Sequence, residues 1–432
     1  MLSSLFEPIK ADLHLSDAQL GVLGGLAVAL FGALFGVHIA RLADRRPQRR
    51  EVLVVCLVAW SVATASSGAA PGFYSLLAAR IAVGVGEAGC IPISLAIIAD
   101  AYPQKRRSQA MSIYYMGLPG GIMLGLFLGG WLAQSVGWRT GFLAVGIPGL
   151  ALSLLLATRL REPPRGFSDA GEGGDGARLL GHGDASPVPA PPRLKAQLLS
   201  IARCRTFVYV LLGGSMSLFT AIGTFAFMPS LCARRFATAA GVTGSALSAV
   251  MLFGALCTLA GGAACDAAFR RTGSLGVYAA LPAGAVALGV PFGVALCVAP
   301  SFGATIALFL VPTLSANVPS GPLRCLVSAL VPAHNRAAAN SVLEIGIGLA
   351  GGLGPLTVGA LSDDLQRRGY TPALALSRAM LAIQLVAIPA ALCLWRAAVN
   401  AAADAREREQ RLMQEAVRDP PAETRTPAEA DS

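Results

Sequence analysis

The sequence predicts an all-α protein that crosses a membrane about eleven times. Of its 432 residues, 54% are hydrophobic and only 13% are charged, and the mean hydropathy is +0.62. These values lie outside the range of soluble globular domains. The apolar residues also fall into stretches of about 20 residues, the length of a helix that crosses the hydrocarbon core of a bilayer. Each stretch therefore indicates one membrane-spanning helix.

The spans can be placed in order along the chain. Residues 1–9 are apolar but too short to cross a bilayer. Ser16 and Asp17 form a helix-start signal before the first complete span. Five spans are expected before a polar linker and six after it. They cover residues 18–40, 52–70, 74–99, 109–133, 140–158, 207–231, 242–264, 275–298, 302–322, 338–361 and 372–399.

The same pattern divides the chain into two helical halves. The N-terminal half covers residues 1–160, the linker 161–205, the C-terminal half 206–399 and a charged tail 400–432. The linker is rich in Gly, Pro, Asp and Arg, a composition that cannot bury a core, so it is expected to be solvated. The tail is expected to be a frayed helical end followed by disorder.

Basic residues are distributed unevenly between the two sets of loops. One set contains the arginines of 41–50, the basic run 105–107, most basic residues of the linker, and Arg270 and Arg271. The positive-inside rule places this set, the linker and the tail in the cytoplasm, and the chain in the cytoplasmic membrane. Because the net charge of +10 is concentrated in these loops, it does not indicate nucleic acid as a partner.

Several classes of chemistry are not expected. None of the lysines, at positions 10, 105 and 195, completes a G-K-[ST] phosphate loop, so no ATP-driven motor is predicted. The four histidines are scattered, and none of the nine cysteines forms a CxxC spacing. We therefore expect no enzyme activity, no metal site, no cofactor and no disulfide framework.

One carboxylate is expected near the middle of the membrane. Glu87 lies half-way along the span 74–99, and a charge at that depth costs about 3 kcal/mol on insertion scales, so it normally faces a cavity or a partner. Arg80 lies seven residues earlier, two turns back on the same helix face. Two interpretations remain open: the residues couple transport to a proton or substrate, or they neutralise each other while the helices pack.

The two halves also repeat each other. The segment 101–107 recurs as 330–336, and 129–132 recurs as 359–362. A parallel repeat of helical halves is the architecture of many secondary transporters.

A row of glycines runs along the span 109–133. Small residues at a spacing of four let helix backbones approach closely in lipid. This row is expected either to pack statically or to act as a sliding surface. Its members are Gly117, Gly121, Gly125 and Gly129.

Several segments together resemble the major facilitator superfamily, and more narrowly its bacterial Spinster-like branch. The resemblance extends to about residue 399 and is more specific in the first half. It implies two six-helix halves that work by alternating access. The segments are 7–23, 41–50, 79–92, 97–117, 137–149, 161–166 and 341–363.

The resemblance implies a gating motif in the loops of the N-terminal half. Asp44 is expected to meet the end of the helix that begins near Ala338, where the positive end of the helix dipole favours an anion. Arg45 and Arg49 are expected to hold neighbouring carboxylates, and Asp100 and Glu162 are the candidates. The full motif comprises Asp44, Arg45, Arg49, Asp100 and Arg106.

The resemblance also implies a coupling site. Glu87 and Arg80 match charged positions of the family's fourth helix. Glu344, in the eleventh helix, either lines the cavity or forms a salt bridge at its boundary. Arg378 and Gln384 are further cavity candidates.

The expected function is secondary active transport of a small organic or lipid-like molecule, driven by protons, by a monomer in the lipid bilayer. Organic anions and lysolipids both remain open as cargo. The alternative is a non-transporting or degenerate membrane protein or sensor that retains the fold.

The resemblance differs most at the start of the chain. A complete first helix precedes the segment EPIKADL in the family, whereas here only MLSSLF precedes it. Either the true start lies upstream of Met1, or the first helix is largely missing and coupling through its acidic residue is in doubt.

Overall fold

The computed structural model describes residues 1–102, 104–163, 203–319, 321–331 and 336–418. Its regular elements are helical throughout these ranges. A 3-10 turn (Leu2–Leu5) opens the chain, and a π-helical turn (Val22–Leu26) joins α2 to α3. The helices are α1 (Phe6–Leu13), α2 (Asp17–Gly21), α3 (Ala27–Arg45), α4 (Arg49–Ser67), α5 (Phe73–Ala88), α6 (Cys90–Ala101), α7 (Gln104–Ser135), α8 (Gly137–Arg159), α9 (Arg205–Phe236), α10 (Ala240–Thr272), α11 (Val277–Val298), α12 (Phe302–Asn317), α13 (Pro322–Leu330), α14 (Arg336–Arg367), α15 (Pro372–Gln384) and α16 (Ala387–Arg418).

Eleven helical stretches among the described residues are long and apolar enough to cross a membrane. This confirms the number of spans that hydropathy predicts. Most helices extend beyond the predicted spans, because charged ends such as Arg49 and Arg234 continue the helix and form ion pairs there. The span predicted as 74–99 consists of two helices, α5 and α6, which meet at Gly89.

Short connections make successive spans run in opposite directions, so the bundle has two ends. The linker joins the end of α8 to the start of α9, and we call that end of the bundle the linker side. The opposite end, where α2 begins and α9 ends, is called the far side. Residues 164–202 of the predicted linker lie outside the described residues.

Residues 1–9 are too short to span, as predicted, but several of their side chains are buried at the far side. Leu5, Phe6 and Ile9 are fully buried. The Phe6 ring packs against Phe227 of α9, with a distance of 5.3 Å between ring centroids. This segment therefore joins the core of the C-terminal half although it belongs to the N-terminal half.

The tail begins as a continuation of the last membrane helix. Helix α16 runs to Arg418, so the helical part of the tail is longer than a frayed end. Asp404, near its start, accepts a hydrogen bond of 2.8 Å from the backbone N–H of Thr206 in the first turn of α9. Residues 419–432 lie outside the described residues.

Candidate functional site

One contact between the halves is formed by α7 and α10. A Cβ atom at Gly130 would overlap the backbone of Ala240, and one at Gly244 would overlap the backbone of Leu126. The Ser248 hydroxyl of α10 donates a hydrogen bond of 2.9 Å to the backbone oxygen of Met123. Backbones this close leave no room for a solvent path between the helices at the far side.

The second contact between the halves is formed by α2 and the following helical turns with α14. A Cβ atom at Gly21 would overlap the backbone of Pro355, and one at Gly25 would lie 2.6 Å from the backbone oxygen of Gly352. Small residues therefore bring these two helices together as closely as α7 and α10. Both contacts lie in the far-side part of the bundle.

Toward the linker side the same helix pairs separate. Gly348 lies one turn before Gly352 on α14, and no neighbouring residue that the structure describes has an atom within 4 Å of the position that its Cβ would occupy. On the other pair, Met116 of α7 is 68% exposed and Phe253 of α10 is 54% exposed. In the part of the chain that the structure describes, the N-terminal and C-terminal halves are therefore in contact at the far side and separated at the linker side.

A buried carboxylate joins the halves at the far side. The Asp17 side chain is fully buried. Arg234 of α9 donates to both of its oxygens, at 2.7 Å and 2.6 Å, and Lys10 donates at 2.5 Å. On α14, Ser362 donates a hydrogen bond of 2.7 Å and Gln366 one of 3.0 Å to the same carboxylate. Asp17 thus connects α2 to two helices of the C-terminal half.

Two further carboxylates complete this cluster. The Asp363 carboxylate of α14 accepts hydrogen bonds from the backbone N–H groups of Asp17 and Ala18, at 2.9 Å and 2.8 Å. A residue of the C-terminal half thereby caps the first turn of α2. Glu7 accepts a bond of 3.0 Å from the Arg234 guanidinium. We call these residues the far-side latch. Its members are Glu7, Lys10, Asp17, Arg234, Ser362, Asp363 and Gln366.

The sequence does not predict the latch. Ser16 and Asp17 indicate only a helix start, and this prediction is confirmed, because the Ser16 hydroxyl accepts a hydrogen bond from the Gln19 backbone N–H. The sequence feature that could have indicated the latch is the presence of charged residues at the ends of apolar spans, such as Asp17 and Arg234.

The proposed coupling residues lie in the N-terminal half. Arg80 and Glu87 are both half-buried on α5. The Arg80 Nε donates a weak bond of 3.4 Å to the backbone oxygen of Leu23. Among the described residues, Arg80 and Glu87 do not form an ion pair, and Glu87 has no hydrogen-bond partner. The two charges are near each other without direct contact.

The other cavity candidates are distributed differently. Glu344 forms an ion pair of 2.5 Å with Arg324 of α13, and both side chains are about half exposed, so it forms the salt bridge that was one of the two predicted interpretations. Arg378 is exposed and lies over the Tyr370 ring at the far side. Gln384 lines a cavity in the C-terminal half.

The loop motif is partly assembled at the linker side. The Arg49 Nη1 donates to Asp100 at 2.6 Å, as the resemblance implied. Glu162 accepts the backbone N–H groups of Arg49 and Arg50 at 3.0 Å and 2.8 Å. Arg45 is exposed. The side chains of Asp44 and Arg106, and the expected contact of Asp44 near Ala338, lie outside the described residues.

Replacing Glu162 by alanine is expected to lower the free energy of unfolding by about 1 kcal/mol, because α4 loses the acceptor for its first two N–H groups. A denaturation curve of the purified protein measures this. Glu51, in the first turn of the same helix but exposed, is the matched control, and its alanine variant should change stability by only a few tenths of a kcal/mol. Equal effects of the two variants would contradict the capping role.

Only part of the glycine row of α7 makes close contacts with other described residues. Gly125 and Gly129 lie against the backbone and side chain of Met1, whereas no atom lies within 4 Å of a Cβ position at Gly117 or Gly121 among the described residues. The close contact with α10 is made instead by Gly130, one position outside the row.

A cavity of about 220 Å³ lies in the C-terminal half. Its walls come mainly from α9, α11, α12 and α15, and Ile122 of α7 closes one side. Among the predicted cavity residues only Gln384 lines it, and Glu87, Arg80, Glu344 and Arg378 do not.

Comparison with known proteins identifies the fold. The chain is 36% identical over 162 residues to an MFS-type efflux pump of Mycolicibacterium smegmatis, which covers 37% of this chain and 38% of that protein. It is 28% identical over 163 residues to the probable sphingolipid transporter spinster homolog 1 of Arabidopsis thaliana, which covers 37% of this chain and 32% of that protein. The chain thus spans about a third of the length of these curated relatives.

The similarity to solved structures extends over nearly the whole chain. A bacterial homolog of the human lysosomal transporter Spinster, crystallised in an inward-facing and unoccupied conformation, superposes with a TM-score of 0.79 at 25% identity, and the match covers 93% of this chain and 94% of that one. The family profile of the Major Facilitator Superfamily matches residues 1–355. The chain therefore belongs to the Major Facilitator Superfamily of membrane transporters, and the Spinster-like proteins are among its relatives.

Proposed function

We propose that this protein is a secondary active transporter that moves a small organic or amphipathic molecule across the cytoplasmic membrane by alternating access. The observation that carries the proposal is the asymmetry of the contacts between the halves, which touch at the far side and separate at the linker side beyond Gly352 and Ser248. Alternating access needs a gate that is closed on one side of a central path while the other side is open.

The side that is open follows from the charge of the loops. The linker side carries Arg41, Arg45 and Arg46 at the end of α3, and Arg270 and Arg271 at the end of α10. The positive-inside rule assigns such a side to the cytoplasm. In this proposal the structure represents the inward-open state, and the far-side latch is its closed outer gate.

Proton coupling is assigned to Glu87. A residue that gains and loses a proton in each cycle should not be fixed in an ion pair, and Glu87 has no hydrogen bond or ion pair among the described residues. Arg80, two turns away and half-buried, supplies a positive charge that attracts an anionic group of the substrate. Intramembrane ionisable residues commonly serve as proton relays in transporters.

The substrate class follows from the same few charges. The open part of the helix pairs presents apolar side chains, among them Met116 and Phe253, and Arg80 is a half-buried cation within a membrane-spanning helix of the N-terminal half. An organic anion or a lysolipid-like molecule has both an apolar part, which would contact these side chains, and a polar or anionic group, which would be attracted by Arg80. The name of one relative, a probable sphingolipid transporter, supports an amphipathic molecule.

Glu87→Gln is expected to abolish the part of transport that a pH gradient drives, because the amide cannot exchange a proton. The measurement is the flux of a fluorescent lysophospholipid and of a radiolabelled dicarboxylate in proteoliposomes, with and without an imposed pH gradient. We expect the gradient to accelerate at least one of them in the wild type and neither in the variant.

Glu51→Gln is the control for this experiment, since Glu51 is exposed at the linker-side end of α4 and should leave the flux unchanged. Gradient-driven flux that persists in Glu87→Gln would refute the role of Glu87. A wild-type protein that moves neither probe and remains in one conformation under the gradient would refute the transporter itself and favour a sensor.

A further inference from the structure

The cavity in the C-terminal half has a lining without charge. Its lining residues include no Asp, Glu, Lys, Arg or His. A charged group placed there would lose its hydration without gaining a counter-ion, which is costly in a membrane interior. The cavity therefore suits an uncharged group.

The lining nevertheless offers hydrogen bonds. Ser315 of α12 lines the cavity, is 7% exposed and has no hydrogen-bond partner among the described residues. The hydroxyl of Ser217 on α9 is also buried and unpartnered there. A polar group without a partner in an apolar cavity is unfavourable, so a ligand that supplies a donor or acceptor gains a hydrogen bond to the Ser315 hydroxyl, and one to the buried Ser217 hydroxyl after its side chain rotates.

The neighbouring polar groups are already paired and hold the wall in place. Gln384 donates a bond of 3.0 Å to the Thr224 hydroxyl, and the Thr220 hydroxyl donates one of 3.2 Å to the backbone oxygen of Ile383, at the interruption between α15 and α16. Interrupted membrane helices form substrate sites in many transporters. Among the described lining residues, Ser315 and Ser217 are thus the serines whose hydroxyls are left to bond a ligand.

The volume limits what can enter. At about 220 Å³ the cavity is smaller than the pockets of about 300–1,000 Å³ that enclose whole drug-sized ligands. It fits one end of a larger molecule. Most of its remaining lining is apolar, with Phe225, Met251 and Phe309 among the side chains. Thr313 and Asn317 also line it, and both side chains donate hydrogen bonds to backbone oxygens of their own helix, at 2.8 Å and 2.7 Å.

We infer that this cavity binds the uncharged, hydroxyl- or amide-bearing end of the transported molecule, with Ser315 and Ser217 as its hydrogen-bonding partners. The inference rests on the proposed transport function and narrows its substrate class. The charged part of the same molecule stays outside this cavity.

The test uses three small probes of one shape: benzyl alcohol, toluene and benzoate. Their binding to the purified full chain is measured from the concentration dependence of its thermal stability. We expect benzyl alcohol to bind about five-fold more tightly than toluene, the gain of about one hydrogen bond, and benzoate not to bind. Ser315→Ala, and separately Ser217→Ala, should reduce this advantage, and the double variant should remove it.

Ser230→Ala is the matched control, since Ser230 is a buried, unpartnered serine of α9 that does not line the cavity, and it should leave all three affinities unchanged. Ala221→Leu narrows the cavity and should weaken benzyl alcohol and toluene alike. Equal binding of the two neutral probes, no binding of either, or an alcohol preference that survives the double serine variant would overturn the inference. These results concern binding alone, so they are separable from a failure of gradient-driven flux.

Discussion

Asp17→Ala is expected to lower the free energy of unfolding by about 3 kcal/mol and to release the far-side gate. The carboxylate is fully buried and Arg234 is 8% exposed, so the variant leaves a guanidinium in a low-dielectric site, where Glu7 is its one remaining carboxylate partner among the described residues. Breaking a buried ion pair by removing one partner costs about 3–5 kcal/mol. Ser362 and Gln366 lose their acceptor at the same time.

The measurement is a denaturation curve of the purified protein, with Asp364→Ala as the control. Asp364 also lies at the far-side end of α14 and pairs with Arg367 and Arg368, but both arginines are about 70% exposed. Exposed pairs contribute about 0–1 kcal/mol, so this variant should have little effect. Similar losses in the two variants would show that Asp17 is not the centre of a buried network.

Opening of the far side can be measured separately, by the labelling rate of a cysteine. Cys232, fully buried on α9 two residues before Arg234, reports on the far side when all other cysteines are replaced. A membrane-impermeant maleimide should label it slowly in the wild type and much faster in Asp17→Ala. Asp17→Leu combined with Arg234→Met should recover stability, since apolar residues can replace a buried ion pair without a net loss, but it should not recover the hydrogen bonds to α14.

The number of spans was predictable because it depends on local sequence. Twenty apolar residues form a helix in a bilayer whatever their neighbours are, since the backbone must satisfy its own hydrogen bonds there. The helix ends were less predictable. Arg49 and Arg234 remain inside helices because Asp100, Glu7 and Asp17 pair with them, and these partners come from other parts of the chain.

The site was predictable where a motif specifies it and not where packing does. The pairing of Arg49 with Asp100 follows from the loop motif. The latch joins residues 10 and 17 to residues 234, 362 and 366, and no spacing in the sequence relates them. The rotation of α7 was also not predictable, because a row of glycines at a spacing of four does not reveal that Gly130, beside the row, faces α10.

The closed gate has two components with different physical roles. The glycine contacts bring the backbones together and gain dispersion energy, which drives helix association in lipid. The latch adds buried polar groups, which must find their partners and therefore define one alignment of α2 against α9 and α14. A gate of this kind has a closed state that is well defined, and a single added side chain at the backbone contact should be enough to exclude it.

Gly359→Val is expected to prevent closure of the far side and to abolish transport. A Cβ atom at Gly359 would overlap the backbone of Asp17 and Ala18, and backbone cannot move aside as a flexible side chain does. Overpacking costs about 3 kcal/mol at the upper end of its usual range, which shifts a two-state equilibrium about 150-fold. The variant should therefore show rapid labelling of Cys232 and no gradient-driven flux, whereas each half keeps its own core.

Gly348→Val is the matched control for this prediction. Gly348 lies on the same helix, and none of the described neighbouring residues has an atom within 4 Å of its Cβ position, so the same substitution has the same helix propensity but meets no described neighbour in this structure. Labelling of Cys232 should stay slow in this variant. If both variants label alike, the contact of Gly359 with Asp17 does not decide closure. If Gly359→Val alone labels rapidly, a single backbone contact determines whether the far side can close.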